Sequence, residues 1–187
     1  MFQRLFRSAL IIVVVAAALS DHPKYCLART NISAHDGSAE GLKTFLRSYL
    51  NSGGDLPDKT TRVSIVSVPL ESRATEEQIV YVTGRGWCGS GGCTLLILEP
   101  SADSFKVIGD LSVIQLPVEI LPGFVNGHPN IGVRTRGVGV GSEYRVQLSF
   151  DGHSYPADAT LPPAKRIRDD RGKAIVTTAS TGIPLYN

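Results

Sequence analysis

Leu42, Phe45, Leu46, Tyr49 and Leu50 recur at positions i, i+3, i+4, i+7 and i+8, the spacing that gathers apolar side chains on one face of an α-helix. Ser38 stands ahead of this stripe as an N-cap candidate, and Glu40 falls in the first turn, where negative charge suits the helix dipole. Asn51-Ser52-Gly53-Gly54 follows, residues that tolerate the left-handed conformation ending a helix. The spacing therefore predicts one helix between Ser38 and Gly54, with its apolar face in the core.

Beyond Gly54 the period changes to that of strands. Residues 62–68 are β-branched and halted by Pro69. Ile79, Val80, Tyr81 and Val82 form a continuous apolar run within 78–83, as do residues 94–98, which predicts strands covered on both faces. Residues 105–108 and 111–116 are separated by Gly109-Asp110, a two-residue hairpin signal. Residues 131–135 predict a further strand. Tyr144, Val146, Leu148 and Phe150 alternate with Glu143, Arg145, Gln147 and Ser149, the pattern of a strand with one wet face. Asp151-Gly152 signals a turn, residues 156–163 read as extended and proline-rich, and 174–178 as a last strand. A helix followed by hairpin after hairpin gives an α+β fold: one N-terminal amphipathic helix packed on a mainly antiparallel β-sheet or curled β-meander. It forms a single domain over 38–187 with an extended C-terminal tail.

The N-terminal residues change the picture of where such a domain works. Arg4 and Arg7 precede a charge-free apolar run over 9–19, and Ala18-Leu19-Ser20 places small residues at the −3 and −1 positions of a cleavage site. Residues 1–20 are read as a signal peptide cut after Ser20, with a retained N-terminal anchor as the alternative. The run is shorter than the roughly 20 residues that span a bilayer. Pro23-Lys24-Tyr25 precedes Cys26, which is not the context of a lipid-accepting cysteine. Residues 21–37 lack periodicity and read as a flexible lead-in. The expected compartment is the periplasm or the exterior, with no membrane span in the mature chain.

Removing 20 of 187 residues leaves about 167, enough for one domain with a core. It also takes away two arginines and no acid, so the formal charge falls from +2 to about zero. Nucleic-acid binding thereby loses its electrostatic basis.

Against this background one segment stands out, Gly84-Arg85-Gly86-Trp87-Cys88-Gly89-Ser90-Gly91-Gly92-Cys93, set between two strongly apolar strands. In an oxidising compartment the close pair Cys88 and Cys93 is expected to form a disulfide, leaving Cys26 over. The glycines supply the positive φ angles of a tight clamp. The plain reading is a stapled turn. The functional reading is a rigid loop that displays Arg85, Trp87 and Ser90 to a partner, Trp87 being the type of residue that anchors interfaces. Trp87 packed over the disulfide is the competing picture.

Several catalytic patterns fail on inspection. Gly84-Arg85-Gly86-Trp87-Cys88-Gly89 matches G-x-G-x-x-G, but the dinucleotide fingerprint opens a helix and this segment leads into a strand. No Gly-Lys-Ser/Thr follows the glycines. Cys88 occupies the position two before Ser90 where a serine-hydrolase elbow requires glycine. Two cysteines with no histidine nearby make an incomplete zinc site, and a four-residue spacing is not the familiar redox one. His35, His128 and His153 each sit in a glycine- or proline-rich context and read as surface-turn residues. Gly137-Val138-Gly139-Val140-Gly141 reads as a wide turn between strands, and the mixed charges of 165–173 as a solvated segment. No catalytic residue, cofactor or metal is expected.

The stretch from Gln78 through Trp87-Cys88-Gly89-Ser90-Gly91-Gly92-Cys93 to Leu98, followed by Phe150-Asp151-Gly152-His153-Ser154-Tyr155-Pro156, resembles a group of small signal-bearing bacterial periplasmic proteins. In that group a leucine-rich helix precedes an apolar strand and a cysteine-glycine loop. The resemblance covers roughly residues 42–156 and implies a compartment and a fold, but no activity. Many of those proteins carry an Asp- and Gly-rich turn similar to the calcium turns of FG-GAP propeller repeats. This chain has Glu71-Ser72-Arg73-Ala74-Thr75-Glu76-Glu77 instead, without the oxygen-ligand pattern of a calcium loop. The expected function is an exported, non-enzymatic binding domain that presents its clamped hairpin to a protein or cell-envelope ligand. Alternatives are an inhibitor or immunity protein against a cell-wall hydrolase and, from another class, a thiol oxidoreductase or hydrolase.

Overall fold

A computed structural model describes residues 38–52, 57–71, 75–101, 104–137, 142–168 and 172–186. The signal, the lead-in, Cys26 and His35 lie outside the described residues, as do residues 138–141 of the glycine run. The described chain is mostly antiparallel β-sheet with one helix, α1 (Ser38–Leu50). The strands are β1 (Arg62–Pro69), β2 (Glu76–Thr83), β3 (Cys88–Gly89), β4 (Gly92–Ser101), β5 (Ser104–Val125), β6 (His128–Thr135), β7 (Tyr144–Leu148), β8 (Lys165–Ile167), β9 (Lys173–Val176) and β10 (Ile183–Pro184).

The 22-residue β5 organises the molecule. Its first half pairs with β4 and continues the order β10-β1-β2-β4. Its second half pairs with β6 and β9, and β6 leads on through β7 to β8. The sheet thus folds back on itself. Ile79, Tyr81, Leu95 and Ile97 from one half meet Val118, Ile131, Val133, Val146 and Leu148 from the other in one apolar core. Val80, Val82, Leu96 and Leu98 point the opposite way and form a second core with Leu42, Leu46 and Leu185. The unbroken apolar runs of β2 and β4 have this cause. Alternate residues serve two cores, so neither face can be polar.

Four local readings are corrected. Gly109-Asp110 is not a turn, because β5 runs through it and Gly109 opposes Ile97 with the Ile97 side chain lying where a Cβ would stand. A register shift beside this point makes a bulge around Ile108, whose carbonyl accepts the Tyr155 N–H at 2.6 Å. His128 is not a surface-turn residue: it opens β6 at 2% exposure. The turn ahead of it is Asn126-Gly127, with φ of 53° and 82°, a two-residue hairpin pair that the sequence carries openly. The supposedly wet face of β7 is half-covered, since Arg145 bonds Glu119 while Gln147 bonds Ser149, which in turn bonds Asn130. Lys165–Ile167, read as a solvated segment, adds an edge strand whose side chains largely stay outside, with Arg166 over the Tyr144 ring at 3.6 Å.

Candidate functional site

Cys88 and Cys93 are disulfide-bonded. They are an opposed pair in a two-residue ladder, Cys88↔Cys93 and Gly89↔Gly92, with Ser90 and Gly91 at the tip. The preceding Gly84–Trp87 segment is a separate turn, in which the Trp87 and Cys88 N–H groups both donate to the Gly84 carbonyl. Gly84, at φ +134°, lies so close to the Thr60–Thr61 backbone that a Cβ would meet Thr61 Cα at 3.0 Å. The Arg85 N–H donates to Thr60 Oγ1 and the Gly86 N–H to Asp58. Asp58 also accepts from the Thr60 N–H and hydroxyl at 2.8 and 2.7 Å, and these bonds hold its carboxyl below the usual carboxylate range. The hairpin is therefore fastened twice, by sulfur near its tip and by Asp58 and Thr60 at its base.

The second fastening decides where Trp87 goes. Its ring packs on the helix-side core, remains partly exposed, and donates Nε1–H to the buried Thr61 hydroxyl at 3.1 Å. Arg85 and Ser90 are exposed. Of the three residues proposed to face a partner, only Trp87 lines a groove of about 450 Å³, together with Tyr49, Asp58, Thr94, Asp110 and Tyr186. This size falls among small-ligand sites.

Asp110 reaches the groove because of the bulge. Before it, Phe105 and Val107, at odd positions, face the helix-side core; after it, Leu111, also odd, faces the inner core. The extra residue switches the alternation, so Asp110 opposes Leu96 on the helix side. There it accepts the Tyr49 hydroxyl at 2.7 Å. Partial burial and this bond push the Tyr49 hydroxyl up to about 12, so it stays a donor and Asp110 an acceptor. Tyr49 was legible only as part of the core stripe, Asp110 as a turn residue, and Asp58 and Tyr186 carried no sequence signal of a site.

A second polar cluster lies inside the inner core. Glu77 and His128, fully buried and nearly so, bond through Oε1 and Nδ1. The His128 ring stacks on Phe150 at 3.9 Å. The Tyr155 hydroxyl donates to the Pro129 carbonyl at 2.7 Å and lies 3.3 Å from Glu77 Oε2. Burial pushes the Glu77 carboxyl above its ordinary range against the opposing pull of His128 and Tyr155, and it raises the Tyr155 hydroxyl as well. The Phe-Asp-Gly-x-x-Tyr segment has a structural meaning here: Asp151 accepts the His153 and Ser154 N–H groups, and the turn delivers Phe150 to the face of the His128 ring and Tyr155 edge-on to it, the two rings in contact with each other. The signal for Glu77 was its parity with Ile79 and Tyr81, which places it on an inward face.

Among the described residues no group of three or more His, Cys, Asp or Glu is placed to hold a metal, and no helix is long and apolar enough to cross a membrane. Comparison with family models, curated proteins and solved structures finds no match.

Proposed function

We propose that the chain is an exported, non-enzymatic domain that binds a cell-envelope ligand in the groove beside its disulfide-clamped hairpin. The observation that carries this reading is Trp87: a large aromatic, partly exposed to solvent, whose ring is fixed by the core below and by Thr61 at its edge. A surface held in place before binding loses little side-chain entropy when the ligand arrives. The charge-free N-terminal run and the disulfide support export, because such bonds persist in oxidising compartments. The non-enzymatic reading draws support from His128, enclosed by Glu77, Phe150 and Tyr155 and so withheld from a substrate.

Co-sedimentation with purified cell-wall sacculi tests the proposal. The mature chain is expected to pellet with them and Trp87→Ala to stay in the supernatant. Equal pelleting of the two, or release of soluble wall fragments by the wild type, contradicts it. The exposed Arg85 and Ser90 beside the groove favour a second reading, an inhibitor whose tip enters a cell-wall hydrolase. Under it, lysozyme-type or amidase-type enzymes lose activity with wild type but keep it with Arg85→Ala.

A further inference from the structure

The groove has a consistent polarity. Its charged side chains are the carboxylates of Asp58 and Asp110, and among the described residues no lysine, arginine or histidine lines it. Arg47, on the adjoining helix, is turned to the Glu40 carboxylate and the Leu185 carbonyl at 3.0 and 2.8 Å. Three of its donors are already engaged: Trp87 Nε1–H on Thr61, the Tyr49 hydroxyl on Asp110, and the Thr94 hydroxyl on the Trp87 carbonyl, while Asn51 and Ser52 complete the polar lining. The charged groups that face the groove are therefore acceptors only, set beside the Trp87 ring.

From this arrangement, and resting on the groove being the binding site, we infer that the occupant is a primary alkylammonium group, the side chain of a lysine-type residue in a peptide. Three features select it. An ammonium is attracted both by carboxylates and by aromatic faces, Trp the strongest among them. A primary ammonium brings three N–H donors to acceptors that a quaternary ammonium could not satisfy. The methylene stem behind it can lie on the apolar walls while its head reaches a carboxylate. A neutral sugar would use the Trp87 face but leave two negative charges without a counterpart.

Trp87 is the single tryptophan of the chain, so its emission reports the groove directly. The full mature chain is titrated with three probes: N-acetyl-Ala-Lys-Ala-amide, the same peptide acetylated on the lysine Nζ, and chitotetraose as a neutral glycan. The lysine peptide is expected to shift Trp87 emission saturably, and the acetylated peptide to bind at least about tenfold more weakly, since a charge-assisted bond is lost. Asp110→Asn, which keeps a side-chain oxygen to accept the Tyr49 hydroxyl, is expected to weaken the lysine peptide by a similar factor. Asp58→Asn is the second variant, its folding checked by thermal melt because Asp58 also secures the hairpin base. Equal response to the two peptides, or unchanged affinity in Asp110→Asn, overturns the ammonium assignment. A response to chitotetraose alone overturns it while leaving the groove as the site. Silence from all three probes removes the assignment, and sacculus binding then decides the groove separately.

Discussion

Removing one member of a buried pair leaves the other's polar group without a partner, so the Glu77–His128 contact is best judged from its parts. His128→Ala is expected to lower unfolding free energy by about 3–5 kcal/mol in urea titration, more than deletion of an exposed histidine such as His153. The acid dependence has a definite sign. Burial holds the folded-state carboxyl of Glu77 above its unfolded value, so its contribution to stability is fully present below the unfolded value and is lost as pH rises through the folded one. The stability advantage of wild type over Glu77→Gln should therefore shrink as pH rises from the unfolded value of a glutamate through the raised folded one. An advantage that grows with pH over that window would refute the assignment. Neither residue could be identified as buried from its own type, since a glutamate beside Glu76 and a histidine between glycine and proline both read as surface residues. Only the register of β2 and the Asn126-Gly127 hairpin place them inside.

At the scale of elements, the clamped hairpin depends on its glycines as well as its cysteines. Closing a loop of this length by a disulfide contributes about 2 kcal/mol on the chain-entropy account, so Cys88→Ser with Cys93→Ser should lower stability by roughly that amount and leave the fold intact by circular dichroism. Gly92→Ala should cost more than the disulfide does. A Cβ there would stand 2.3 Å from the Ile114 carbonyl oxygen, at a φ of +129°, and neither the backbone of β5 nor the hairpin can yield without losing ladder bonds. The tight approach of Gly92 to β5 was not visible in the sequence, where the glycines signalled only turning. The bulge at Ile108 was hidden for a related reason. Gly-Asp between two apolar runs is the signature of a hairpin, and only the β4 register shows Gly109 accommodating Ile97.

For the whole molecule, the period of the sequence carried most of the architecture. The helix stripe, the two-sided apolar strands and the alternating β7 all announced themselves because each is repeated over several residues. The doubling-back of the sheet did not, since it depends on β5 changing partners midway, from β4 to β6 and β9, and no local pattern marks that exchange. The groove is a product of the same long-range assembly: Tyr49 comes from α1, Trp87 from the hairpin base, Asp110 from the bulged strand and Tyr186 from the chain end. Of its walls, the sequence pointed to Trp87 alone.

The central claim is that Trp87 and the groove it walls form the binding site. Its most direct test is the emission of Trp87 during titration with soluble fragments released from sacculi. The account predicts a saturable change in intensity or wavelength, absent in the doubly substituted Asp58→Asn, Asp110→Asn chain if that chain melts as the wild type does. Sacculus binding with Trp87 emission unmoved would place the contact elsewhere on the surface and contradict the account.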